Sequence, residues 1–262
     1  GPNPRERIAE WNTFEEALSL VSSGRSADAI KPLRAIATDD PNARVFQSTL
    51  AQALKNTGRT REALAIYRTL VARWPEDATL FHDLAVAARE VGDEQEALRA
   101  ERAAVAIDPH DANAQNGLGL LYADAGQSNE AAAAFEKATE LDPNNASFWT
   151  NLGNARRALG DVDAAQRCYR RALEINSQYA DAANGLGVVL VQQRRAPEAI
   201  KLFEQALAAD PTLYEAQLNL GIAYQESGDR ARAAAQYRKI IATAPPGAKE
   251  KRAARELLAA LK

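Results

Sequence analysis

The sequence predicts an all-α fold, an α-solenoid of antiparallel helical hairpins, and three observations carry that prediction. Prolines at Pro41, Pro75, Pro109, Pro143, Pro211 and Pro245 are separated by multiples of 34 residues, the mark of a repeated supersecondary unit. An alanine keeps the same beat at Ala29, Ala63, Ala97, Ala131, Ala165, Ala199 and Ala233 without exception. Within each period apolar residues recur at helical spacing, as in Leu118, Leu121 and Tyr122 or Ala131, Ala134, Phe135 and Ala138, a pattern strands do not make. Composition agrees, because 46% apolar residues with 6% aromatic and no methionine calls for closely spaced small side chains around a few large anchors.

Each column of the period has its own physical reading. A first apolar stripe places a small residue at Ala17, Ala51, Ala85, Gly119, Gly153, Gly187 and Gly221, directly after a leucine at Leu50, Leu84, Leu118, Leu152, Leu186 and Leu220. Only Glu16 breaks the leucine column. Gly24, Gly58, Gly92, Gly126, Gly160 and Gly228, replaced once by Arg194, fall between the two stripes, where one helix stops and the chain turns back through a left-handed residue. The second stripe holds the invariant alanine and, one turn later, Leu33, Tyr67, Phe135, Tyr169, Phe203 and Tyr237, with Glu101 as the exception. Small residues let the paired helices approach, and the larger residue fills the space between successive hairpins. Proline then separates one hairpin from the next; Ser177 stands once in its place.

These residues resemble a known family. Leu-Gly-x-x-Tyr at Leu118 to Tyr122, followed by Ala131, Phe135, Ala138 and Pro143, is similar to the tetratricopeptide repeat, whose period is 34. The resemblance divides the chain into seven repeats at 10–43, 44–77, 78–111, 112–145, 146–179, 180–213 and 214–247, with a lead-in at 1–9 and a C-terminal capping helix at 248–262. In that last segment Ala254, Leu257, Leu258 and Leu261 share a face that covers the end of the array. The implied architecture is a right-handed superhelix whose first helices line a concave groove.

Carried onto this sequence, the groove of the middle repeats presents Asn113, Asn116 and Asp124, then Thr150, Asn154 and Arg157, then Asp181, Asn184 and Gln192. Amides donate and accept, so Asn116, Asn154 and Asn184 suit the backbone of an extended peptide, and Arg157 suits a carboxylate. Arg157, Arg89 and Lys55 are expected to set preference among partners. The family's clamp for chaperone C-terminal tails is not reproduced: Asn154 is in place, but Thr150 stands where a lysine is wanted, Gly185 where the next asparagine belongs and Glu215 where a basic residue would help. The expected function is a non-catalytic protein-interaction scaffold that binds a protein or peptide partner in its groove.

Other chemistries find little support. A net charge of −3 leaves no phosphate-neutralising excess, so nucleic acid is not an expected partner. One cysteine, Cys168, and two histidines, His82 and His110, make no ligand set at zinc spacing, and neither a metal nor a cofactor is expected. No apolar run is long enough to insert in a membrane. Phosphate loops, nucleophile elbows and His-Glu-x-x-His helices are absent. Asp39, Asp40 and Asp108 read as helix-start acids, Cys168 as a buried structural thiol, and the histidines as solvent or helix-end residues.

The ends of the chain raise further expectations. Trp11 and Phe14 are large apolar residues in a repeat without a predecessor, placed either to dock a neighbour or to pack on Ile8 and the second repeat. Residues 76–145 hold 15 acidic and 4 basic side chains, whereas 229–262 hold 9 basic and 3 acidic, so weak self-association through unlike ends is a further expectation. The chain starts at Gly1 rather than methionine. The alternative function is therefore the C-terminal accessory region of a larger bacterial enzyme, since Pro4 to Ile8 followed by Trp11 and Phe14 is similar to the lead-in of repeat tails on sulfatase-like hydrolases, and glycosyltransferases also carry such arrays.

Overall fold

A computed structural model describes residues 4–261, and all regular elements among them are α-helices. The chain forms two compact units, Gly1–Leu121 and Tyr122–Lys262. The first holds α1 (Pro4–Ser22), α2 (Ser26–Asp39), α3 (Arg44–Asn56), α4 (Thr60–Arg73), α5 (Ala78–Glu90) and α6 (Glu94–Ile107). The boundary falls inside α7 (Ala112–Asp124). The second holds α8 (Ser128–Leu141), α9 (Ala146–Ala158), α10 (Val162–Ile175), α11 (Ala180–Gln192), α12 (Ala196–Ala209), α13 (Tyr214–Glu226), α14 (Arg230–Thr243) and α15 (Lys249–Ala260). Within each unit a helix packs on its hairpin partner and on the next hairpin in chain order, as expected of an all-α solenoid. The segment set apart as a lead-in is helical from Pro4, which makes α1 19 residues long where α3 has 13.

The glycine turn ends each first helix. Gly58 (φ +77°) donates to the Lys55 carbonyl at 2.9 Å while Arg59 N–H reaches back to the Leu54 carbonyl at 2.9 Å, satisfying carbonyls that the helix end would leave open. The same pair of bonds forms at Arg194, whose N–H donates to the Val191 carbonyl while Arg195 N–H reaches the Leu190 carbonyl, with Arg194 at φ +60°, a conformation costly for a residue with a Cβ.

Between hairpins the turn is closed differently from the helix-start reading. Asp40 and Asp108 end α2 and α6, and their carboxylates accept from the Asn42 and His110 N–H groups two residues on. Helix starts are capped instead by Asp77, Asp93, Asp161 and Asp229. Asn176 repeats the two-residue turn toward Gln178 N–H at 3.0 Å, which explains why Ser177 replaces proline there without loss of the bend.

The core consists of wedges. Tyr169 on α10 is fully buried between Gly153 of its own hairpin and Gly185 of the next, where an added Cβ would lie 2.7 and 2.5 Å from its ring. Phe203 fits against Gly187 and Tyr237 against Gly221 in the same manner. The invariant alanine beside each wedge is fully buried in all seven repeats, so the two helices meet backbone to backbone. At the C-terminal end α15 lays Ala254, Leu257, Leu258 and Leu261 on the core of the second unit.

Glu101 occupies the wedge position on α6, and it is only 1% exposed. Its carboxylate fills the notch at Gly117 and bonds His82 Nδ1 at 2.7 Å. The structure thus corrects the solvent or helix-end role expected of His82. Burial raises the Glu101 pKa; for His82 burial acts to lower it, but the bond and charge of Glu101 outweigh this and hold it above the ordinary value. Cys168 is buried, and burial pushes its thiol up to about 11. At the N-terminus Phe14 is buried with its ring 5.1 Å from Phe46. Trp11 stacks edge-on to both rings but stays 48% exposed.

Gly221→Ala is expected to lower the urea midpoint of the second unit, because overpacking against a rigid ring costs about 1–3 kcal/mol and outweighs the roughly 1 kcal/mol helix gain of alanine. Arg194→Gly should raise that midpoint, by about 0.5–1 kcal/mol. Both shifts mean that the folded chain holds a proton more tightly: the His82 contribution is full below its ordinary pKa of about 6.5 and the Glu101 contribution below its ordinary pKa of about 4.3, and each is lost as pH rises through its own raised value. Unfolding followed across the His82 window should show this slope, and His82→Asn should flatten it.

Candidate functional site

The second unit contains a concave cavity of about 210 Å³ built from three successive first helices. Thr150, Asn151, Asn154 and Arg157 line it from α9, Asp181, Asn184, Gly185 and Val188 from α11, and Glu215 from α13, with Tyr179 just before α11. On α9 and α11 the lining residues recur at spacings of three and four, as in 151, 154 and 157 or 181, 184 and 188, which puts them on one face. Because the first helices of successive hairpins run in the same direction, the acids in the first turns of α11 and α13 form one rim. Arg157, in the last turn of α9, forms the other.

Much of the wall is held by internal bonds. Thr150 is buried and donates to the Ala146 carbonyl at 2.8 Å. Asn184 is buried too: it accepts from Asn219 Nδ2 at 2.9 Å and donates to Glu215 Oε1 at 3.4 Å. Asn154 is exposed, and the Tyr169 hydroxyl beneath it donates to its Oδ1 at 2.7 Å, turning its amide nitrogen outward. Burial raises the Tyr169 pKa while the adjacent Arg157 guanidinium opposes the shift. Arg157 Nε is buried without a hydrogen-bond partner. Asp181 is held above the usual carboxylate range by burial and then by the charges of Glu215 and Asp210.

Five residues expected in the groove therefore meet here: Thr150, Asn154, Arg157, Asp181 and Asn184. Gln192 does not join them, since it is the exposed last residue of α11. Asn113 and Asn116 stand on the part of α7 that belongs to the first unit, and Asp124 is the exposed last residue of that helix. Asn184 is not an open peptide ligand, because both ends of its amide are engaged. Counted by 34, Asn184 matches Thr150 and Asn116, while Asn154 matches Val188; the two asparagines lie at different depths along their helices. Asn151, Tyr179 and Val188 escaped the sequence reading, although Asn151 and Val188 lie one helical turn from residues it had chosen. Thr150, Gly185 and Glu215, which depart from the chaperone-tail clamp, all stand on the cavity wall.

Among the described residues no helix is long and apolar enough to cross a membrane. Among the described residues no group of three or more His, Cys, Asp or Glu is placed to hold a metal ion.

Family models described as tetratricopeptide repeat match residues 48–112, 150–214 and 190–261, and one described as TPR repeat matches 121–156. A model described as bacterial transcriptional activator domain matches 6–78. No curated protein matches the sequence. Among solved structures, a tetratricopeptide repeat protein from Parabacteroides merdae is 18% identical, with 97% of this chain and 99% of that one covered and a TM-score of 0.74. The MamA protein is 29% identical over 63% of this chain and 90% of its own, with a TM-score of 0.54. YrrB, described as a TPR protein with an unusual peptide-binding site, is 25% identical over 72% of this chain and 97% of its own, with a TM-score of 0.54.

Proposed function

The chain belongs to the tetratricopeptide repeat family, and on that premise we propose that its second unit binds an extended segment of a protein partner across the cavity of α9, α11 and α13. As a member of that family it is a protein-interaction scaffold. The observation that carries the finer reading is the convergence of Asn154, Arg157, Asp181 and Glu215 on one concave wall. An extended peptide offers carbonyl acceptors at regular intervals, and Asn154 and Arg157 are donors on that wall with capacity left over. Thr150 and Asn184 act as supports: Thr150 bonds back within α9, and Asn184 ties α11 to α13 through Asn219. The peptide-binding site named for YrrB supports the same use of a repeat surface here. Affinity would draw on preformed shape, because Tyr169 below Asn154 is fixed by packing before any ligand arrives.

Panning an octapeptide display library on the folded chain tests this reading. Asn154→Ala and Arg157→Ala are each expected to weaken selected peptides about tenfold or more. Arg171→Ala, which removes an exposed ion pair with Glu174 on α10, should leave binding unchanged. Circular dichroism checks that each variant stays helical. Selected peptides that bind both cavity variants as tightly as the wild type would exclude the cavity as their site.

A further inference from the structure

We propose that the cavity selects a basic residue: a lysine or arginine side chain of the bound peptide enters between Asp181 and Glu215, while a main-chain carbonyl of the same peptide accepts from Arg157. This rests on the reading of the cavity as a peptide site and adds what that peptide must contain.

Asp181 and Glu215 are 34 residues apart, so they stand at equivalent places on neighbouring parallel helices. Both face the cavity. Several other acids of the second unit have cationic partners, as Glu136 has Arg156, Glu174 has Arg171, Glu198 has Arg195 and Asp229 has Arg232. Neither Asp181 nor Glu215 takes part in an ion pair among the described residues, and the bond from Asn184 to Glu215 is long at 3.4 Å. Burial raises the Asp181 pKa first, and the negative charge of Glu215 on the same wall adds to it.

The opposite rim has the complementary deficiency. The Arg157 guanidinium bonds the Tyr169 side chain, but its Nε is buried and lacks an acceptor, which leaves that donor unsatisfied where water is excluded. One cavity of about 210 Å³ therefore presents a demand for a cation and a demand for an acceptor. A phosphate or a dicarboxylate would satisfy Arg157 and be repelled by the acids. A small diamine would satisfy the acids and leave Arg157 open. A basic residue within a peptide supplies both, an ammonium or guanidinium on its side chain and a carbonyl on its backbone. Half-buried Tyr179 and Val188 provide apolar surface for the methylene stem.

The test uses the octapeptide library on the full chain, followed by fluorescence anisotropy on selected peptides. Selected sequences are expected to share a lysine or arginine at a fixed position. Replacing it by norleucine should weaken binding about tenfold or more, the Asp181→Asn, Glu215→Gln double variant should weaken the parent peptide by a similar factor, and the norleucine peptide should be insensitive to that variant, which is the coupling expected of a direct contact. Peptides that lose affinity on Asn154→Ala but share no basic residue, or that bind the double variant undiminished, would overturn this inference and leave the cavity as the peptide site. Selection of acidic peptides would overturn it equally. If no selected peptide responds to either set of substitutions, or none is selected, the inference and the reading beneath it fall together.

Discussion

The wedge of a large second-helix side chain into notches made by glycine and alanine on the first helices is the contact on which the rest of this structure depends. Tyr169 shows it most fully, because a Cβ at either Gly153 or Gly185 would collide with its ring. The notch on its own hairpin sets how closely α9 and α10 approach, and the notch on the next hairpin sets where α11 lies beside α9. Stacking of that kind needs no contact between distant parts of the sequence. It also fixes the floor of the cavity, since the hydroxyl of the same tyrosine holds Asn154. Packing and candidate recognition thus share one residue in the second unit.

Where the repeat pattern is broken, the local chemistry shows what each position requires. Ser177 loses the proline but the Asn176 side chain closes the turn, so the position needs a bend and not a particular ring. Arg194 keeps both backbone bonds of the glycine turn at a positive φ, so there the requirement is a conformation that arginine adopts only with strain. Glu101 puts a carboxylate where other repeats put an aromatic ring. Its burial is tolerated because His82 reaches it from α5, and the pair replaces hydrophobic contact by a hydrogen bond inside the core of the first unit. Tyr67 is a milder case, with a buried hydroxyl that has no partner, where Tyr169 and Tyr237 bond Asn154 and Gln225.

The candidate site was legible only in part. Arg157, Asn154, Thr150, Asp181 and Asn184 could be chosen because the family resemblance says which helix faces inward, and helical spacing says which residues share its face. The state of each side chain could not be read that way. Asn184 has the same amide as Asn154 and Thr150 is likewise a polar residue, yet their polar atoms are engaged by Asn219, Glu215 and Ala146. Glu215 looked like a mismatch to a known clamp and proves to be half of an uncompensated acidic rim. Gln192 shares a helix with Asp181 and Asn184 but lies past the end of the cavity, because its position at the last residue of α11 carries it beyond the neighbouring lining residues.

By itself the sequence determined the all-α class, the helical period and the identity of the wedge and notch columns, since a 34-residue beat of glycine, alanine, leucine and aromatic residues leaves only one way for a helical hairpin to bury its apolar stripes on its neighbour. Periodicity reports local geometry and nearest-neighbour packing, and in a solenoid these are nearly the whole fold. Only the tertiary structure decided which polar groups are left over. Hydrogen-bond partners such as Tyr169 with Asn154, Asn219 with Asn184 and Glu101 with His82 come from helices 15 to 35 residues apart in sequence. Their formation depends on side-chain direction at the meeting of helices, a quantity that one-dimensional spacing does not contain.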